Sequence, residues 1–292
     1  MKNVLVIVCT FLLCATMTAG ELTAAILASN QKFNTDATFS PKTPDFGCSI
    51  ILRDELNTNI ETLLAFEADP LNGNTLFARI LFASSYMEIS AGPSFGVFNT
   101  GSNKTGVVNL FQPGLGIGFS IIAPGMLVAH VDTDFALPAP ANTNGTIYLQ
   151  KSTISAGFYL PNVICSIELN QKTNTEAGKR IVSITDYGFY TEAFRKGSKF
   201  RVSVDFIYRI SDFFIAPENE GNRKLGNLVL GGGLTWAPSM DFNFFILGTS
   251  SLYTFSLGTP VSGLNNPLFE VKSGITMNIG KSKTKPEILN DI

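Results

Sequence analysis

Apolar and polar residues alternate along most of this chain. Phe200, Val202, Val204, Phe206, Tyr208 and Ile210 are interleaved with Arg201, Ser203, Asp205, Ile207, Arg209 and Ser211. Phe269, Val271, Ile275, Met277 and Ile279 are set against Glu270, Lys272, Gly274, Thr276 and Asn278. The same period appears over 60–69, 76–82, 154–160 and 163–170. A strand sends successive side chains to opposite faces, so each stretch predicts a strand with one apolar face and one polar or small face. Between the stretches stand Asn57-Thr58-Asn59, Asp69 through Asn74, Ala123-Pro124-Gly125, Pro161-Asn162, Arg195 through Ser198 and Ala237-Pro238-Ser239. Gly, Pro and Asn supply the backbone angles of tight hairpins. From Leu22 to Ile279 this predicts about 12 to 14 strands. The longer polar stretches 99–105, 138–146, 171–179, 216–224 and 258–267 are expected to be long loops on one side. No helical stripe of useful length, phosphate-binding loop, dinucleotide fingerprint or CxxC pair interrupts the pattern.

A long antiparallel sheet can be a soluble sandwich or a membrane barrel, and composition separates them. Charged residues are 15% of 292 and hydrophobic residues 45%, with a mean hydropathy of +0.22. A sandwich needs a charged exterior, whereas the polar faces here are often Gly, Ser, Ala or Thr. The apolar faces run long enough to cross a bilayer when tilted, about 9 to 11 residues. In hydrocarbon every backbone N–H and C=O must be paired internally, so spanning strands must close into a barrel. The expectation is an all-β transmembrane antiparallel β-barrel of the outer-membrane kind. A net charge of −2 leaves no basic field for nucleic acid.

The first residues read as an export signal. Lys2 precedes an apolar run over 4–15, and Met17-Thr18-Ala19-Gly20 offers a cleavage site after Gly20. The organisation expected is signal peptide 1–20, barrel 21–280 and polar tail 281–292. Cleavage removes Cys9 and Cys14. Cys48 and Cys165 remain on apolar faces as small lipid-facing residues, able to pair only if the fold brings them together. Phe46, Tyr86, Tyr159, Tyr187, Tyr190, Tyr208, Trp236 and Phe242 lie near strand ends, where interfacial girdles sit.

Three phrases, the segments 84–96, 110–119 (Leu-Phe-Gln-Pro-Gly-Leu-Gly-Ile-Gly-Phe) and 227–234, resemble treponemal outer-membrane β-barrel proteins. The resemblance extends through most of the chain as texture. It implies an outer-membrane location and a barrel, with the assembly machinery and membrane lipid as partners, and carries no catalytic signature. It also suggests a relation to small porin-like barrels of the OmpW kind, which implies eight strands, fewer than the alternating stretches here. The chain departs from that class in following Ile279 with a polar tail rather than ending on an aromatic.

On the predicted inner face, His130, Asp132 and Asp134 share one side of a strand. Their spacing of about 7 Å is too wide for a rigid strand alone to hold one ion, so no metal is expected. His130 is the only histidine, and its surroundings match no Ser–His catalytic arrangement, so no catalytic residue or cofactor is expected. Glu61, Glu67, Asp69, Arg79, Glu168, Arg201, Asp205, Arg209, Glu270 and Lys272 put both charge signs on the same inner face. They form either an eyelet that selects solutes by charge or a set of pairs that neutralise one another and occlude the lumen. The first reading makes the protein a passive conduit for small solutes. The second makes it a surface-exposed structural or adhesive barrel that meets host components. A lipid-modifying enzyme depending on His130 is the third.

Overall fold

Each alternating stretch forms a strand, and the strands close on themselves. The computed structural model describes residues 20–30, 44–69, 73–102, 106–123, 126–137, 148–176, 179–194, 197–213, 223–258 and 267–279. Fourteen strands lie among them: β1 (Gly20–Ser29), β2 (Asp45–Glu55), β3 (Ile60–Asp69), β4 (Gly73–Ala83), β5 (Met87–Ser102), β6 (Gly106–Ala123), β7 (Leu127–Ala136), β8 (Tyr148–Leu160), β9 (Val163–Glu176), β10 (Lys179–Phe194), β11 (Phe200–Phe213), β12 (Arg223–Ser239), β13 (Phe242–Ser256) and β14 (Phe269–Ile279). Every strand pairs antiparallel with its neighbours in sequence. β1 also pairs with β14, from Gly20↔Ile279 to Ser29↔Glu270, which closes the barrel. No free edge is left, the condition for strands to lie in hydrocarbon. Fourteen strands correct the eight implied by the OmpW resemblance.

Short turns gather at one end, with the start of β1 and the end of β14. Asn57 Oδ1 accepts the N–H groups of Asn59 and Ile60 at 2.9 and 2.8 Å, fixing the β2–β3 turn. The β8–β9 turn is two residues, with Asn162 at φ 64. In two of the polar stretches expected as loops, the described residues 99–102, 171–176 and 179 are strand instead. β5 and β6 pair out to Ser102↔Gly106, and β9 and β10 out to Glu176↔Lys179. Ladder hydrogen bonds are indifferent to side-chain polarity, so both hairpins continue past the apolar band. Residues 1–19 of the expected signal 1–20, the tail 281–292 and the loop expectation at 138–146 lie outside the described residues, as do most of 216–224 and 258–267.

The faces are inverted relative to a soluble protein. Ile167 is 65% and Ile80 64% exposed, while Glu61 is 4% and Arg79 6% exposed. Ile117, Ile154, Phe206 and Ile246 join the outer apolar face; Ser90, Ser94, Ser120, Ser183 and Ser211 are buried within. Two aromatic rows bracket the outer face on one side. Near the short turns Phe200, Trp236 and Phe244 stack at 6.3 and 5.5 Å between centroids. Towards the other end Tyr187, Tyr208, Phe255 and Tyr253 form a second row, and the Phe255 ring lies over Gly226 of β12. From Trp236 to Gly226 is about 33 Å along a strand, or about 25 Å along the barrel axis at a tilt of about 40°. That matches the apolar band of about 25 Å between aromatic girdles in outer-membrane barrels. Tyr159 and Tyr190 depart from the girdle expectation: the alternation of β8 and β10 turns them inward.

Candidate functional site

The inner wall carries the polar chemistry, and its most developed part centres on Arg79 of β4. The guanidinium crosses β5 and β6 to reach β7. There it binds Asp132 through Nη1 and again through Nη2 at 3.0 Å, and Asp134 through Nη2 at 2.7 Å. Its path is prepared by β6. In Gly-Leu-Gly-Ile-Gly, the leucine and isoleucine face outward and the glycines inward. A Cβ on Gly116 would meet Arg79 Nε at 2.7 Å, and one on Gly118 would stand 2.9 Å from Asp132 Oδ2. Glycine at period two thus removes the inner side chains and lets an arginine lie flat against the wall. The phrase quoted above for its resemblance has this physical content.

Beside this cluster, Arg53 of β2 binds Glu61 of β3, and its Nη2 reaches Glu88 of β5 at 2.9 Å. Lys151 of β8 lies 3.8 Å from Glu67 of β3. Asp69 pairs through its backbone with Gly73 at the end of β3; its side chain lies outside the described residues.

The remaining inner charges are arranged differently. Arg209 of β11 makes two bonds to Asp186 of β10, at 2.7 and 2.6 Å. Arg201 meets Glu192 at 3.1 Å near the short-turn end. Between these pairs the Tyr190 ring lies over Gly188, with Glu168 on β9 and Asp205 on β11 alongside. Asn170 donates to Glu168 and accepts from Thr153 at 2.6 Å. Asp205 leans over Gly231 of β12. Glu270 and Lys272 share the inner face of β14. Asn227 of β12 is 1% exposed; its Oδ1 accepts from Thr254 at 2.7 Å, and its Nδ2 has no partner among the described residues.

The inward trio is therefore divided. Asp132 and Asp134 clamp Arg79, while His130 Nδ1 shares a 2.8 Å hydrogen bond with Ser120 Oγ on β6. No cluster of three or more His, Cys, Asp or Glu side chains suited to a metal occurs among the described residues. The Ser120–His130 contact shows no orienting carboxylate among the described residues. Cys48 on β2 and Cys165 on β9 are unpaired, both on the outer face. Sequence reasoning missed Arg53, Glu88, Lys151, Asp186 and Glu192 as inner-wall partners. Strand parity was the available signal: Arg53 shares a face with Ser49, and Lys151 with Thr153 and Ser155.

No family model matches the chain, and no curated protein matches it. Solved structures do. The CymD monoaromatic hydrocarbon channel aligns at a TM-score of 0.52 and 9% identity, over 92% of this chain and 91% of that one. A bacterial polysaccharide outer membrane secretin aligns at 0.49 and 11% identity, over 90% and 99%. OmpF of Salmonella typhi, in complex with daunomycin, aligns at 0.45 and 10% identity, over 89% and 96%. Likenesses at such identities concern the fold, a closed antiparallel barrel of the type found among outer-membrane channels.

Proposed function

We propose that the protein is an integral outer-membrane barrel acting as a passive conduit for small solutes. The observation behind this reading is the inversion of faces in a closed barrel. The wall is apolar where it would meet lipid, while charges of both signs line the interior. Charged residues inside a barrel are sustainable where water reaches them or where they are paired, and the inner wall contains both arrangements. Residues 1–20 as an export signal, the assembly machinery as insertion partner and membrane lipid as surroundings complete the reading. No cofactor is required, because a solute moves down its own gradient.

A second reading, a surface barrel with a closed lumen, is favoured by the burial of Leu225, Asn227 and Val229 on the inner side of β12. Reconstitution separates the two. In a planar bilayer the purified protein should give discrete conductance steps, and its liposomes should swell in small permeant solutes. A folded barrel that gives neither would replace the conduit with the sealed surface protein.

A further inference from the structure

The ion pairs of the inner wall join strands that a round barrel would hold apart. Fourteen strands, about 4.8 Å apart and tilted about 40°, make a circle about 28 Å across between backbones. In that circle strands five places apart stand about 25 Å from one another, and strands three places apart about 17 Å. Glu67 and Lys151 belong to β3 and β8, five places apart, yet their charged atoms are 3.8 Å apart. A lysine and a glutamate, both fully extended, reach about 11 Å between them, which puts their Cα atoms within about 15 Å. Arg79 and Asp134, three places apart with a 2.7 Å contact, are held within about 14 Å by the same reckoning. The arc from β3 to β8 is curled more tightly than a circle.

A closed ring of fixed perimeter that curls tightly on one arc must straighten or fold inward on the rest. The opposite wall shows this. Its outer surface across β8–β13 holds an apolar groove of about 850 Å³, with Ile154, Ile167, Tyr187, Phe206 and Leu228 among its lining. Inside the same wall Ile207, Leu225 and Val229 are buried. Three consecutive glycines in β12, Gly231, Gly232 and Gly233, lie in it.

We infer that the lumen is a flattened slot, and that the Glu67–Lys151 bridge divides it. The lobe enclosed by β3–β8 is filled by the Arg79 cluster, and solutes pass through the lobe bounded by β9–β14 and β1–β2. This deepens the conduit reading and rests on it. The solute class it names is small ions and slender molecules, with bulkier solutes excluded by width.

Two measurements test it. In a refolded full chain with its four cysteines replaced by serine, Glu67→Cys and Lys151→Cys should be joined by a bis-maleimide reaching about 11 Å. In a round barrel their sulfurs would be about 21 Å apart. Absence of the cross-link in folded protein overturns the slot. In planar bilayers the Glu67→Gln/Lys151→Gln variant should conduct about twofold more than the parent and admit larger solutes. Both side chains are partly exposed, so their loss should leave folding intact. Unchanged conductance overturns the bridge as a determinant of width. A cross-link formed in a protein that never conducts, in parent or variant, overturns the conduit while the slot stands.

Discussion

Replacing Arg79 by methionine removes the cation and leaves two carboxylates side by side on β7, next to Gly116 and Gly118 of β6. Asp134 is 9% exposed, and the side chain of Asp132 is 23% exposed. Breaking a buried ion pair by deleting one partner costs about 3–5 kcal/mol, mostly from the charge left without compensation. The lower half of that range applies here, because the partly open Asp132 can recover some hydration from the interior. Arg79→Met should therefore cost about 3 kcal/mol. The triple variant Arg79→Met/Asp132→Asn/Asp134→Asn removes all three charges at similar volume. It should regain most of the loss, since neutral side chains avoid the ionic desolvation penalty. Denaturant unfolding in lipid vesicles, followed by the fluorescence of Trp236, the only tryptophan, measures both. A single variant within about 1 kcal/mol of the parent would mean that water already solvates this cluster. A triple variant no better than the single would locate the damage in packing rather than charge. Either result refutes the reasoning.

The glycine cradle makes a linked prediction. Gly116→Ala places a methyl 2.7 Å from Arg79 Nε and closer still to Asp134 Oδ1 and should cost about 1–3 kcal/mol; in an Arg79→Met/Asp134→Ala background most of that penalty should vanish, and equal costs in both backgrounds would sever the glycine from the clamp. Cys48 and Cys165 stand on different parts of the outer face, so non-reducing and reducing electrophoresis should give one mobility. A lipid-soluble maleimide should label Cys48 faster than the buried Cys165, and equal rates would contradict the difference in cover. The closed ladder predicts that unheated protein in mild SDS migrates apart from boiled protein, with coincident bands counting against closure.

Period two was the strongest signal in the chain, and it carried the fold a long way. It put the charges of β11 and β14 on the inner face and the aliphatics outside, because in a pleated strand parity alone decides the side. Turn chemistry located the β2–β3, β6–β7, β8–β9 and β10–β11 hairpins for the same local reason, whereas Ala237-Pro238-Ser239 ends β12 and the turn falls at Met240-Asp241. It failed where polarity was taken for a loop, at 171–179, since a strand that projects beyond the apolar band needs no apolar face. The clamp on Arg79 was not legible. Asp132 and Asp134 are more than fifty residues away, and what brings them into reach is the path over Gly116 and Gly118. Alternating Gly-Leu-Gly-Ile-Gly shows period two plainly, yet an absent side chain does not say which distant residue occupies its space.

Of the two readings of the inner charges, mutual neutralisation fits the pairing seen along one arc of the wall, and a selective field would fall to the other. From β2 to β8 the cations are taken up by acids: Arg53 by Glu61 and Glu88, Arg79 by Asp132 and Asp134, Lys151 by Glu67. An arrangement of that kind holds curvature and leaves little net field. From β9 to β14 the ladder pairs Arg209 with Asp186 and Arg201 with Glu192, while Glu168 and Asp205 flank Tyr190 and form no ion pair among the described residues. Paired charges of low exposure cannot both brace a wall and attract a solute, because a carboxylate already bonded to arginine has little potential left to offer. If solutes are selected by charge, the selection therefore falls to the second arc, and Asp205→Asn should shift ion preference where Asp132→Asn shifts stability. Reversal potentials across a salt gradient read the first effect and unfolding midpoints the second; variants that exchange these outcomes would undo the division of the wall.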